Sequence, residues 1–495
     1  MFSTQPAELL FPSPLRCCAS VPASRSSARY LVGTAVAPGG GGEGGGLEGS
    51  SGGNRVHLLR YHEEANEVGV DATLDHPTGE VWCVASCPTD GGVVVTCGGG
   101  GGGGGGATTK VWRIPADLLG REDDLDDSGD GLGGGPPPPP GADLAEMEGT
   151  ATLLVDAAEG DPTGGRMSAA LFRPAGGMGW DDDDDDDHFG DGGGGGGDLL
   201  TVAAFDGALT RWDLNAGAAE VGRIEGGAGG GGARRAAPGG YRAAWDPHHP
   251  HTVAVAGPRG LGSGGGGGTV VLHDLRSSSG GAGCLSPGGD GGSLTGPLGL
   301  GRGGGGVTDV SFNPNLPHVL CTAGTDGLVR FWDLRSTSSS PSSRRPLKVL
   351  RGGHQHWSDR VEYNPHHDQL VLSGGSDGVV NLWRAGSVSS APMMDLDLDD
   401  NDQLDDEAAD APMAANGDDE NAGVHGMDGD RDGDGNTDGS AKEGADVRVA
   451  SRDLPDAVYG LTWSAADPWT YLAVGYDGTV SVNHVPSREK YKILL

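Results

Sequence analysis

The chain has 495 residues, of which 97 are glycine, with a formal net charge of −37 and only 5% aromatic residues, so its packed part is smaller than its length suggests. Basic residues cluster no further than Arg234-Arg235 and Arg344-Arg345, which argues against a phosphate-binding footprint and hence a nucleic-acid partner; the acidity favours basic protein partners instead. No apolar run reaches the roughly eighteen residues of a membrane span.

In chain order, the residues fall into triplets of short alternating β-runs separated by turn residues. Met1 to Arg29 is rich in serine and arginine and nearly free of acid, a composition shared with organelle transit peptides. The alternative is that Ala7-Glu-Leu-Leu-Phe11 opens the first unit, with a strand within Ala7 to Ser20, then Tyr30 to Val36 and Arg55 to Tyr61. The second unit reads Glu80 to Ser86, Val93 to Thr96 and Thr109 to Ile114, with a further outer strand at Ala151 to Val155. The third has Met167 to Phe172, Leu199 to Ala203 and Ala208 to Trp212; the fourth Tyr241 to Trp245, Thr252 to Ala256 and Thr269 to His273. The fifth, Val307 to Arg335, states the pattern most fully: Asn313-Pro314 ends its first run and Asp326-Gly327 supplies a tight hairpin. The sixth repeats it through Ser358 to Tyr363, Gln369 to Ser373, Asp377-Gly378 and Val379 to Trp383. The seventh does so through Val458 to Trp463, Tyr471 to Gly475, Asp477-Gly478 and Thr479 to Asn483.

A three- or four-stranded meander cannot bury both faces alone, so seven copies predict an all-β, seven-bladed propeller over residues 1–495. Glycine-rich and aspartate-rich tracts at about 37–53, 98–107, 120–148, 176–198, 226–238, 277–306 and 386–445 are expected to be disordered loop inserts. With strands named a to d outward, the glycine runs replace b–c hairpins or precede strand a. The acidic runs Glu122 to Asp130, Asp181 to Asp187 and Asp395 to Asp446 fall in a–b or c–d connections, at the opposite end. Tyr491 to Leu495 is expected to pair as the last blade's outer strand. Seven cysteines, Cys17, Cys18, Cys83, Cys87, Cys97, Cys284 and Cys321, contain no Cys-x-x-Cys pair and read as buried thiols in a reducing compartment.

Phe331-Trp-Asp-Leu-Arg335, Arg211-Trp-Asp-Leu214 and the shared Asp-Gly turns resemble WD-repeat proteins. The resemblance implies a structural hydrogen-bonded tetrad in each well-kept blade: His354, Ser373, Asp377 and Trp383 in blade six. Blade five keeps Thr322, Asp326 and Trp332 but has Gly303 near the histidine position, and blade seven keeps only Asp477. Val458 to Trp469, Tyr476-Asp-Gly478, Lys490 to Leu495, Gly79-Glu-Val-Trp82, Lys110 to Pro115, Trp245 to His249 and Tyr363 to Leu370 are similar to a narrower family. Its members interact with the endosome-associated recycling (EARP) and Golgi-associated retrograde (GARP) tethering complexes. That resemblance implies a non-enzymatic adaptor in vesicle traffic, cytoplasmic and peripheral to endosomes and the trans-Golgi network, with tether subunits as partners. Trp332-Asp-Leu-Arg335 also matches the signature by which some WD-repeat proteins dock cullin-RING ubiquitin ligases, which makes Arg335 a second candidate contact. Trp82, Trp357 and Trp469 lie near predicted blade edges and are candidate partner-binding anchors.

No cofactor, metal or small-molecule substrate is expected. Asp430 to Asn436 copies the front of a calcium loop but has Ala441 at its twelfth position. His248-His-Pro-His251 and His366-His-Asp368 read as exposed turns, and no Ser/His/Asp or Cys/His set is placed for catalysis.

Overall fold

The structure, a computed structural model, describes residues 5–22, 28–36, 54–76, 79–99, 108–114, 118, 152–156, 167–174, 198–203, 207–214, 219–224, 241–257, 269–275, 306–335, 346–391 and 446–494. Its strands form seven antiparallel sheets. The chain opens with β1 (Ala7–Leu10), then forms blade one from β2 (Leu15–Val21), β3 (Ala28–Thr34), β4 (Asn54–His62) and β5 (Glu67–His76). Blade two is β6 (Glu80–Ser86), β7 (Val93–Gly99), β8 (Thr108–Arg113) and β9 (Thr152–Asp156). Blade three is β10 (Met167–Phe172), β11 (Asp198–Ala203), β12 (Leu209–Asp213) and β13 (Ala219–Ile224). Blade four has three strands among the described residues, β14 (Arg242–Trp245), β15 (Thr252–Gly257) and β16 (Thr269–Asp274). Blade five is β17 (Val307–Phe312), β18 (Val319–Gly324), β19 (Val329–Asp333) and β20 (Lys348–Leu350). Blade six is β21 (Ser358–Tyr363), β22 (Leu370–Gly375), β23 (Val379–Ala385) and β24 (Asp446–Asp453). Blade seven takes β25 (Val458–Trp463), β26 (Thr470–Gly475) and β27 (Thr479–His484), and its outer strand is β1. A helix, α1 (Ser487–Leu494), ends the chain.

The innermost strands β2, β6, β10, β14, β17, β21 and β25 are neighbours in that order, and β25 returns to β2, so the ring is closed. Period-two alternation sends successive residues to opposite faces of each blade. On β22, Val371 packs with Phe331, Tyr363 and Trp383 toward blade five, whereas Leu370 and Leu372 pack with Trp463 and Tyr471 toward blade seven. The apolar core therefore lies between blades rather than within one. The Asp-Gly hairpins work as their chemistry requires. Asp377 and Asp477 accept the backbone N–H groups of Val379 and Thr479, both at 3.2 Å, while Gly378 and Gly478 take φ of 78° and 98°. A Cβ on Gly478 would lie 2.2 Å from the Phe11 carbonyl, so this turn must be glycine for β1 to pass.

Two sequence expectations are corrected here. Ala7 to Leu10 pairs in the last blade, not the first, with Ala7 opposite Val482 and Leu10 opposite Thr479; Phe11 N–H donates to Gly478 O at 2.9 Å. Residues 491–494 lie in α1 instead of forming that outer strand; Leu495 is outside the described residues. Ser487 to Leu494 contains a single β-branched residue, and Glu489 anchors it as helix by bonding Arg384 at 2.8 Å and Lys492 one turn on at 3.3 Å. Ile493 of α1 packs beside Trp469 against the interface of blades six and seven.

The glycine and aspartate tracts, Cys284 and the calcium-like segment fall outside the described residues, apart from margins such as Gly98, Gly99 and Gly386 to Ala391. The six described cysteines are free thiols; Cys18 is half-buried and the others buried.

Candidate protein-interaction faces

The ring has two ends. One carries the d–a and b–c connections and the other the a–b and c–d connections. At the first end, blade six joins four side chains in one hydrogen-bonded chain. Trp383 Nε1–H donates to Ser373 Oγ at 2.8 Å, the Ser373 hydroxyl meets His354 Nε2 at 2.8 Å, and His354 Nδ1 meets Asp377 Oδ1 at 3.2 Å. Burial holds the His354 ring below its ordinary pKa although Asp377 opposes this, so it stays neutral and links the two hydroxyl and carboxylate partners. Blade five makes only the bond from Trp332 Nε1–H to Thr322 Oγ1, at 2.9 Å; Asp326, exposed, is bound by Arg330 instead of a histidine.

The structure shows a further set that sequence reading missed. Thr96 Oγ1 accepts Trp112 Nε1–H at 2.8 Å and meets His76 Nε2 at 2.9 Å, which locks blade two. The signal was present as His76-Pro-Thr-Gly79 ahead of β6, the counterpart of Gly353-His354 ahead of β21, but lay within a strand that the alternation did not suggest.

Toward the same end, the innermost strands bring Trp82, Arg16 and Tyr459 together. The Arg16 guanidinium lies 5.0 Å from the Trp82 ring centroid and 5.8 Å from that of Tyr459, and Trp82 Nε1–H donates to Glu80 Oε2 at 2.9 Å. Arg360 Nε–H donates to Tyr459 O at 2.5 Å, and its guanidinium is 4.0 Å from Asp309, which also accepts Val310 and Val361 N–H. Trp357, 41% exposed, stacks on His356 just ahead of β21. Trp469 stacks on His367 at 4.3 Å at the other end of the ring. Arg335 also sits there, 62% exposed and held by two bonds from its guanidinium to Asp333, at 3.1 and 2.9 Å. The candidate anchors are thus split between two ends and do not form one patch.

Burial raises two carboxyls on β21, Asp359 to about 6 and Glu362 to about 8. A raised carboxyl contributes stability below its unfolded pKa, near 4.5 for glutamate, and loses it as pH rises through the folded value. Glu362→Gln is therefore expected to raise stability by about 2 kcal/mol at pH 8.5 and to make little difference at pH 4. Urea unfolding of both proteins at the two pH values checks this; an equal effect at both would show that the carboxyl's ionisation is not what matters.

At the opposite end, Asp246 and Asn364 shape the a–b turns by accepting backbone N–H groups two and three residues on. His249 is bonded to Asp246 at 2.9 Å and stacked on His318, while His248 meets the Asn313 carbonyl, so these histidines serve turn and blade contacts. Among the described residues no His, Cys, Asp or Glu cluster has metal-binding geometry, and no helix is long and apolar enough to cross a membrane.

A family model described as the EIPR1 beta-propeller matches residues 298–383, from the link ahead of blade five through the first three strands of blade six. Human EARP and GARP complex-interacting protein 1 is 27% identical over 452 residues, covering 89% of this chain and 90% of that protein. Caenorhabditis elegans EARP-interacting protein 1 is 35% identical over 185 residues, 37% of this chain and 41% of that one. WD repeat-containing protein DWA2 of Arabidopsis thaliana is 24% identical over 472 residues, covering 95% and 93%. The chain is accordingly a seven-bladed β-propeller with WD-type repeats that resembles the EARP and GARP complex-interacting proteins along most of its length.

Proposed function

We propose that the protein is a non-enzymatic adaptor that binds subunits of the EARP and GARP tethering complexes, in the cytoplasm at endosomes and the trans-Golgi network. The observation that carries this reading is the similarity over about nine tenths of the chain to a human protein named for interacting with those complexes. The ring is consistent with it: rigid blades hold aromatic and arginine side chains at two accessible ends, the chemistry of protein recognition. Affinity purification of the tagged full chain is expected to recover tether subunits. Recovery of cullin-RING ligase subunits with no tether subunit would overturn the reading.

Arg335 is already engaged by Asp333 on an exposed c–d connection. Arg335→Ala is expected to leave tether capture unchanged and stability within about 0.5 kcal/mol of the parent. Loss of capture in this variant would move the contact to the a–b and c–d end.

A further inference from the structure

We infer that the central channel of the ring binds a phosphate group through Arg16, Arg242 and Arg360, near the end that carries the d–a and b–c connections. The site belongs to the propeller alone and does not depend on the tether contact proposed above.

The three arginines lie on the innermost strands β2, β14 and β21, each paired within its sheet on one side only, so that its other edge faces the axis of the ring. No two of blades one, four and six are adjacent, yet their guanidiniums act on one another. Arg242 feels both Arg360 and Arg16, and the Cys17 thiol on β2 feels all three. The channel is the space they share. Tyr459 joins two of them: its ring lies 5.8 Å from the Arg16 guanidinium, and its carbonyl accepts Arg360 Nε–H at 2.5 Å. Register places Arg242 opposite Ala256 and Arg360 opposite Gly374, the same position on strand b of their blades, so both side chains start from one level of the channel. Arg16 starts from the bulge between Leu15 and Cys17, one residue nearer the mouth.

Gathering three cations in this way is costly without a counter-anion. Asp309 is spent on the Val310 and Val361 N–H groups and stands 4.0 Å from Arg360; Glu80 accepts Trp82 Nε1–H and stands 3.7 Å from Arg16. Arg242 makes no hydrogen bond or ion pair with another described residue. Burial raises Asp309 above the usual carboxylate range, Asp359 to about 6 and Glu362 to about 8, so these carboxyls do not balance the arginines one for one at neutral pH. Burial, and after it the Arg360 charge, lower Arg242 to about 10, which leaves it cationic there. In a chain of net charge −37, such a set points to a ligand rather than to general basicity.

The arrangement also selects the anion. Guanidiniums that arrive from separated blades offer N–H donors from several directions, which a tetrahedral phosphate accepts on different oxygens and a planar carboxylate cannot. Trp82, 5.0 Å from Arg16, and Tyr459 hold the guanidinium at the mouth between their rings. No basic run marks the site, because its members come from distant segments and meet only when the ring closes.

Calorimetric titration of the full chain with inorganic phosphate and with acetate tests this. Phosphate is expected to bind at least about tenfold more tightly than acetate. Arg242→Met keeps the apolar stem and removes the charge. It is expected to weaken phosphate binding at least about tenfold and to leave the thermal midpoint in phosphate-free buffer equal or higher, because an unmatched buried cation is a cost. Arg16→Met, at the mouth, is a second variant with the same expected loss, whereas Arg335→Ala at the opposite end is expected to bind as the parent does. Flotation with phosphatidylcholine vesicles, with and without phosphatidylinositol monophosphate, identifies the source of the phosphate. Preference for the phosphoinositide vesicles, displaced by inorganic phosphate and lost in both channel variants, supports a lipid headgroup; phosphate binding with no such preference supports a soluble phosphorylated molecule. Acetate bound as tightly as phosphate, no phosphate binding by the parent, or phosphate affinity unchanged in both channel variants would each overturn the inference.

Discussion

Removal of residues 1–12 is expected to open the ring and leave little folded protein at 37 °C. β1 is the outer strand of blade seven, so its loss strips four register pairs from β27 and uncovers the apolar cluster in which Ala7 and Phe11 meet Tyr61, Leu472 and Val482. It also removes the strap that joins the two ends of the chain, and a propeller whose ends are not joined can part at that seam. A milder version isolates the side chain: Phe11 is buried with its ring 4.3 Å from His57, and Phe11→Ala is expected to cost about 3 kcal/mol. Deletion of residues 491–495 is the control. It removes the exposed Tyr491 and Leu494 and the partly buried Ile493, so a far smaller effect is expected. Circular dichroism melts of the three proteins decide the matter; equal losses from both ends would show that β1 is not the closing strand.

Asp377→Ala is expected to destabilise by about 2–3 kcal/mol, several times more than Asp326→Ala at the same motif position in blade five. Burial alone would raise the Asp377 pKa, but the Gln355 N–H at 2.8 Å, the His354 ring and the Val379 N–H together hold it below the usual carboxylate range. Its removal orphans a buried histidine and a backbone donor together. Asp326 is exposed and satisfied by Arg330, a surface pair whose loss costs about 0.5 kcal/mol. The carboxylate's contribution is present at neutral pH, above its unfolded pKa, and is lost as pH falls through the lower folded value. The two variants should therefore converge at strongly acidic pH. Urea midpoints at pH 7 provide the comparison, and equal costs at the two positions would refute a role for the histidine link.

Both predictions turn on contacts that differ in how far they could be read from residues. The Asp-Gly hairpins, the alternating runs of β17 to β19, β21 to β23 and β25 to β27, and the Trp383 to Ser373 pairing are encoded within about forty residues, where turn chemistry and strand period act directly. The outer strands were harder. β5, β20 and β24 have one side toward solvent, so they lack the dense apolar pattern of inner strands and announce themselves weakly.

The amino-acid pattern alone determined the antiparallel meander, its sevenfold repetition and the ends of the blades at which the inserts leave, because each depends on local backbone preference and side-chain alternation. Tertiary structure decided that Ala7 to Leu10 closes the ring, that Ser487 to Leu494 turns into a helix beside Trp469, and that Trp82 and Trp357 lie at the opposite end from Trp469 and Arg335. The physical reason is that two short apolar segments competed for one open edge. The choice between them depended on which could match β27 in register while passing Gly478, a contact spanning nearly the whole chain that no local window contains.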